Sequence, residues 1–337
     1  MPDSPADPAQ PANPLTADPL HTIPSLYGPL AVPPWPEDLI VRALQAHGEW
    51  GAAETELLAP VLPDAPVVWD LGAFLGSFSL GLARHHPLAR VLAVEANPRV
   101  LPCLARNLDR LLACPARALH AGVGGRAGWL VPRARPDAET NHGAQDYDLV
   151  TGPAGPAGAV PCRTLPELRA EHGDYDMLKL DLEGLETEVL QGDRAYIAAR
   201  RPVIWAECNE DRASLALLKA LAGLGYAPVY LAFPAFRRAN FNRATDLIYP
   251  LAYEAGLLAA PPDLLARLTG RVAGEEIITR PLSGPQDLRR ALFDTPRWGK
   301  AEWAGMSRPE LIARLGRLSQ GQGLADFLDP PGQPEEL

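Results

Sequence analysis

Short β-forming runs alternate with helical repeats along most of this chain. The first clear run is Val67 to Leu71, bounded by Pro66 and Gly72. Gly72 and Gly76 bracket a turn, and Phe78, Leu80, Leu82 and Ala83 then predict a helix packing back on the strand. A second run, Arg90 to Glu95, leads through Asn97-Pro98, read as a helix start, into Leu101, Leu104, Ala105, Leu108, Leu111 and Leu112 at helical spacing. Pro102 falls inside that helix and is expected to cost it one backbone bond near its start. Further strands are predicted at Arg117 to Val123, Asp176 to Gly184, Pro202 to Glu207, Tyr226 to Phe233 and Ala244 to Leu251, the last closing and antiparallel. A short helix from Leu185 to Gln191 ends at Gly192, and Asp211 caps another that ends at Gly225. Strands in alternation with helices imply an open, doubly wound, mostly parallel α/β sheet. In such a sheet ligands sit at the carboxyl ends of the strands, where the strand order switches.

The flanks read differently. Residues 1–36 are rich in Pro, Ala and Asp and predict a flexible leader, its last third (Ile23 to Trp35) laid on the domain. Helical patterns from Glu37 to Gln45 and from Ala52 to Leu62 lead into the first strand. Residues 124–161 form a long Gly/Pro-rich stretch with one strand at Gly128 to Val131. Residues 253–337 predict a small helical extension, with pieces at Pro262 to Leu268, Gln286 to Phe293 and Arg308 to Leu318 and an acidic tail. The core domain is therefore expected over residues 37–252.

Composition narrows the function. A chain of 337 residues that is 47% hydrophobic can bury a full core. Its net charge of −10 argues against a nucleic-acid partner. The four cysteines, Cys103, Cys114, Cys162 and Cys208, show no Cys-x-x-Cys spacing, so neither a zinc knot nor a redox pair is indicated. No apolar run reaches membrane-spanning length and no secretory leader pattern opens the chain, which predicts a cytoplasmic protein.

The chemistry gathers at strand ends. The first glycine loop is Gly-x-x-x-Gly rather than Gly-x-Gly-x-x-Gly, so the dinucleotide fingerprint is absent. Asp70 stands where a pyrophosphate would sit, which suits a cationic or amino-bearing ligand better than NAD. Glu95 and Asp181 end two further strands. A carboxylate can accept both hydroxyl hydrogens of a ribose, and Glu95 follows Asp70 at the distance where dinucleotide folds keep that acid. Lys179 and Asp181 share one face of their strand. They form either a self-satisfying ion pair or, with Glu183, part of a reacting centre.

Asp70-Leu-Gly72-Ala-Phe-Leu-Gly76-Ser-Phe-Ser79, Glu95-Ala-Asn97-Pro98, Lys179-Leu-Asp181-Leu-Glu183-Gly184-Leu-Glu186 and Leu190-Gln-Gly192 together resemble the FkbM family of S-adenosylmethionine-dependent methyltransferases. Arg201 to Glu207 is similar to that family's next strand, and the likeness covers roughly residues 50 to 255. It implies a Rossmann-like class I methyltransferase fold: a doubly wound, mostly parallel seven-stranded sheet with an antiparallel closing strand. It also implies methyl transfer, usually to a hydroxyl, and S-adenosyl-L-methionine as cofactor. Carried over residue by residue, Asp70, Gly72, Ala73 and Gly76 would shape the methionine pocket. Glu95, with Ala96 and Asn97, would hold the ribose, and the stretch His120 to Gly122 would lie near the adenine. Asn141-His142-Gly143 resembles a polar loop that often precedes the fourth strand. Phe74 departs from the family, which commonly has Asn there.

The expected acceptor is a sugar, glycan or secondary metabolite. A hydroxyl needs a proton acceptor, for which Asp181 and Glu183 lead, followed by Glu207 and His142. Alternatively, Asp181 and Glu207 would hold a divalent cation that lowers the hydroxyl's pKa. His85, His86 and His172 read as surface residues; Trp298 and Trp303 read as packing of the extension or a cap on the pocket. Two rival readings are a nicotinamide-dependent oxidoreductase and a non-catalytic cofactor-binding interaction module.

Overall fold

The computed structural model describes residues 20–133, 141–143, 145, 147–209, 212–245 and 252–295. The chain enters through a hairpin, β1 (Thr22–Ser25) and β2 (Gly28–Ala31), within the stretch expected to lie on the domain. Two helices follow, α1 (Leu39–His47) and α2 (Ala52–Leu58). Then come β3 (Val67–Leu71), α3 (Ser77–His85), β4 (Arg90–Glu95), α4 (Leu101–Leu111) and β5 (Ala116–His120). The middle of the chain adds β6 (Gly122–Val123), β7 (Gly128–Pro132), β8 (Tyr147–Val150), β9 (Val160–Arg163) and α5 (Leu165–His172). Next are β10 (Met177–Leu180), α6 (Glu186–Gly192), α7 (Arg194–Arg200), β11 (Val203–Glu207), α8 (Arg212–Gly223) and β12 (Val229–Pro234). The described part ends with β13 (Tyr253–Ala259), α9 (Pro262–Leu265), β14 (Ile278–Pro281) and α10 (Pro285–Phe293).

The main sheet has eight strands in the order β14-β12-β13-β11-β10-β3-β4-β5. The block from β5 to β11 is parallel, while β13 runs antiparallel to both β11 and β12. From β3 the chain winds outward through β4 to β5, then returns to lay β10 on the other side of β3. That reversal makes the switch point of the sheet lie between β3 and β10.

Both faces of the sheet are covered, which is why its strands read as continuous apolar runs. Trp69, Leu71, Leu92, Val94, Leu178, Leu180 and Ile204 point into one core. Val68, Val91, Ala93, Met177, Val203 and Trp205 point into the other. Asp70 and Lys179 fall on the second face and are cross-strand partners.

Two expectations shift. The closing antiparallel strand is Tyr253–Ala259 rather than Ala244 to Leu251, of which residues 246–251 lie outside the described ones. Gly256 in mid-strand masks it in the sequence, since glycine weakens a strand. Here a Cβ on Gly256 would stand 2.5 Å from the Trp205 ring, so the bare backbone lets the indole lie across the strand. The sheet therefore continues past residue 252 and gains an eighth strand, β14, on its edge. The Gly/Pro-rich stretch 124–161 also holds more order than expected. It contributes β7, β8 and β9 to a second sheet of order β6-β9-β7-β8. Pro102 costs α4 nothing, because it sits in the first turn, where a backbone N–H would have no helical partner to lose. Asn97 does not cap that helix; its Oδ1 accepts from the Arg99 N–H at 3.0 Å in the turn before it.

The leader up to residue 19, Trp298, Trp303, the Arg308 to Leu318 helix and the acidic tail lie outside the described residues.

Candidate active site

A cleft of about 190 Å³ opens at the switch point. Gly72, Ala73 and Phe74 after β3, Glu95 and Ala96 at the end of β4, Gly122, and Asp181 to Glu183 after β10 all line it. Glu207 at the end of β11 and His142 join them, with Leu39, Ile40 and Glu54 from the N-terminal helices and Trp50 from the turn between these helices. All four residues expected to carry the chemistry thus meet in one cleft. Of those expected to hold the cofactor, Asp70, Gly76 and Asn97 do not line it.

Asp70 lies beneath the floor. It is fully buried, its Oδ2 accepts from Ser79 Oγ at 2.7 Å, and its Oδ1 lies 3.5 Å from Lys179 Nζ. The cation that answers Asp70 in this structure is therefore Lys179. The same ammonium donates to Gly72 O at 2.7 Å and to Asp181 Oδ2 at 3.1 Å. Burial works against its charge, but Asp181, Asp70 and Glu54 outweigh burial and hold its pKa above the ordinary lysine value. One buried cation thus ties the end of β3, the glycine loop and the end of β10 together.

The glycine loop is shaped by contacts within the protein. Gly72 has φ +81°, and a Cβ there would stand 1.9 Å from Asp181 O. Gly76 has φ +82° and precedes α3, and a Cβ there would stand 3.1 Å from Leu104 Cδ1. Phe74, between them, is a non-glycine residue at φ +46°, in the left-handed region that Asn tolerates better than Phe. Its ring packs on the apolar cluster of the N-terminal hairpin and α1. Gly122 answers packing as well, since a Cβ there would meet Leu130 Cδ1 at 2.0 Å.

Glu95 is 8% exposed at the cleft wall. Its Oε2 accepts from Phe74 N–H at 2.8 Å and its Oε1 from Asn97 N–H at 2.7 Å. Burial pushes its carboxyl up, against the pull of those two bonds. Each oxygen keeps acceptor capacity beyond its one backbone donor. That pair of acceptors fits a ribose diol, and the apolar wall of Ala121, Val123 and Leu130 beside Gly122 fits a flat base.

Asp181, Glu183 and Glu207 converge, with one carboxylate oxygen of each within 4.8 Å of the others. Oxygen donors in that spacing could hold a hard divalent cation. The turn that presents Asp181 and Glu183 is built by the rest of its motif. Glu183 and Gly184 both have positive φ, at +51° and +99°. Glu186 Oε1 accepts from Leu182 N–H at 2.8 Å and from Gly184 N–H at 3.3 Å, folding the loop back on α6.

Two groups on the wall escape the sequence reading. Glu54, on α2, takes a 2.5 Å hydrogen bond from Trp205 Nε1. Burial pushes its carboxyl up to about 8, opposed by Lys179 and by the indole N–H. Tyr147 lines the cleft from β8, and burial with the Glu95 and Glu183 charges raises its phenol above the ordinary range. Glu54 reads in the sequence as one acid on an amphipathic helix; nothing local marks it as facing inward.

Residues 70–227 match the profile of the methyltransferase FkbM domain. A curated relative, "Methyltransferase sdnD" of Sordaria araneosa, is 32% identical over 161 residues, covering 39% of this chain and 61% of the relative. The chain thus spans about three fifths of that relative's length. Among solved structures, methyltransferase FkbM from Methylobacillus flagellatus KT aligns at 16% identity and TM-score 0.37, over 60% of this chain and 47% of that one. Precorrin-6y C5,15-methyltransferase from Geobacter metallireducens GS-15 aligns at 17% identity and TM-score 0.37, over 62% and 86%. Over residues 70–227 this chain is similar to the methyltransferase FkbM domain.

Proposed function

We propose that the protein is an S-adenosyl-L-methionine-dependent O-methyltransferase acting on a hydroxyl of a sugar, glycan or secondary metabolite. The observation that carries the reading is the cleft at the β3/β10 switch, lined by Glu95 and by the converging Asp181, Glu183 and Glu207. Gly72 to Phe74, Glu95, Ala96 and Gly122 seat the donor, with Glu95 accepting from the ribose hydroxyls. Asp70 acts from below, by holding Lys179 and through it the loop. The donor, when bound, supplies an activated methyl group on a sulfonium.

What remains for the protein is alignment, exclusion of water and proton removal. The apolar walls, Phe78, Trp50 and Leu39 among them, keep bulk water from the methyl. Asp181, Glu183 and Glu207 accept hydrogen bonds from the acceptor's hydroxyls. With His142 they are our candidates to receive its proton. A second reading, in which the three carboxylates hold a divalent cation that acidifies the hydroxyl, is favoured by their 4.8 Å convergence.

The test is transfer of label from methyl-labelled S-adenosylmethionine to the small-molecule and glycan fractions of a cell extract. Label in an O-methyl group of one product supports the reading; label in an N-methyl or C-methyl product rejects it. Loss of transfer in EDTA, with recovery on Mg²⁺ or Mn²⁺, selects the cation reading. Transfer that is unaffected by EDTA removes that reading.

A further inference from the structure

We propose that His142, held by Asp38, is the general base that takes the proton from the acceptor hydroxyl. The assignment rests on the O-methyl-transfer reading above and selects among its four candidate groups. Asp38 precedes α1, outside the family match. It is fully buried, and its carboxylate meets three N–H donors. Its Oδ1 accepts from Val41 N–H at 3.0 Å, capping the helix. Its Oδ2 accepts from the His142 backbone N–H at 2.8 Å and lies 3.1 Å from the His142 ring Nδ1. A carboxylate oxygen can only accept, so Nδ1 carries the ring hydrogen and the lone pair stands on Nε2. Among the described residues nothing pairs with Nε2, and His142 lines the cleft. Trp35 stacks on the imidazole at 3.9 Å with 20° between the planes, and Arg99 lies 4.6 Å over that indole. The ring is thereby fixed in tautomer and in plane, as a base needs to be.

The carboxylates are less suited. Asp181 Oδ2 is already engaged by the Lys179 ammonium at 3.1 Å. Glu183 and Glu207 crowd that same oxygen set.

In the step, the acceptor O–H bond breaks and its proton passes to Nε2. The oxygen's electron pair forms the O–CH3 bond. The S–CH3 pair returns to sulfur, leaving a neutral thioether. Asp38 stabilises the imidazolium, which gives its proton to water as product leaves.

The test uses the full chain and the extract fraction that the wild type labels. His142→Ala is expected to lower methyl transfer by about 10²-fold or more, with part of the rate restored by added imidazole. Asp38→Asn keeps a helix-capping side chain but cannot accept from all three donors, so about a tenfold loss or more is expected. Its thermal midpoint should stay within a few degrees of wild type. Nitrogen-15 spectra of the histidines give a readout without any acceptor: His142 should show Nδ1–H and a bare Nε2 in the wild type, and lose that pattern in Asp38→Asn. Wild-type transfer rates in His142→Ala, or an Nε2–H tautomer in the wild type, would overturn the assignment and leave the methyl-transfer reading standing. A wild type that labels no O-methyl product overturns both.

Discussion

At the scale of single residues, the site is organised around a buried charge. Lys179 bridges Asp70, Asp181 and the Gly72 carbonyl. The backbone closeness it enforces makes Gly72 intolerant of any side chain. Gly72→Ala would drive a Cβ into Asp181 O at 1.9 Å and hold alanine at φ +81°. A loss of about 3 kcal/mol is expected in urea unfolding, from overpacking and backbone strain together. Glu54 gives a pH-dependent prediction. Its carboxyl rises from an ordinary 4.5 to about 8 on folding. A raised carboxyl contributes stability in full below the unfolded value and loses it as pH climbs through the folded value. Wild type should therefore lose thermal stability relative to Glu54→Gln between pH 4.5 and about 8, and the gap should then level off. A gap that is constant with pH would show that Glu54 does not titrate there. The residues bearing the family pattern were legible in the sequence, because charge at a strand end is conspicuous. Asp70 was legible as an unusual acid but not as Lys179's partner, since 109 positions separate the two and only the β3/β10 pairing brings them together. Glu54 and Asp38 were not legible, because inward facing is a property of helix packing.

At the scale of elements, the N-terminal hairpin belongs to the site's architecture. Leu30, Ala31 and Val32 are buried in one cluster with Leu75 and Val100. Asn107 of α4 fastens the hairpin: its Oδ1 accepts from Ala31 N–H at 2.7 Å, and its Nδ2 donates to Ala31 O and to Leu75 O, both at 3.0 Å. Asn107→Ala would leave these buried backbone groups unpaired. A loss of about 2–4 kcal/mol is expected by denaturant titration, with increased amide exchange across Thr22–Ala31. The parallel strands β3, β4, β10 and β11 were readable as apolar runs, and β3 and β4 even to their ends. Strands β8 and β9 were not: Tyr147–Val150 and Val160–Arg163 are short, flanked by Gly and Pro, and stabilised by their partner β7 rather than by local preference. The hairpin hid similarly, because Pro24 and Pro29 sit in its strands and read as breakers.

At the scale of the whole molecule, a doubly wound sheet brings distant residues to one rim. The N-terminal helices, the second sheet and the ends of β11 and β13 then close a cleft over it. No helix among the described residues is long and apolar enough to cross a membrane. The cleft walls combine aromatic and apolar surface with several carboxylates, a composition that matches a polyhydroxylated acceptor better than an anionic one. An anionic acceptor should therefore be a poorer substrate than its neutral analogue, with the difference in KM. We propose that the β3/β10 switch seats an adenosyl amino-acid donor with Glu95 on its ribose. Calorimetric titration with S-adenosylhomocysteine, on wild type and on Glu95→Ala, tests it most directly. Saturable binding in the wild type, weakened tenfold or more in Glu95→Ala while its thermal unfolding stays cooperative, is the predicted result; absence of binding heat in the wild type, or equal affinity in the two proteins, would contradict it.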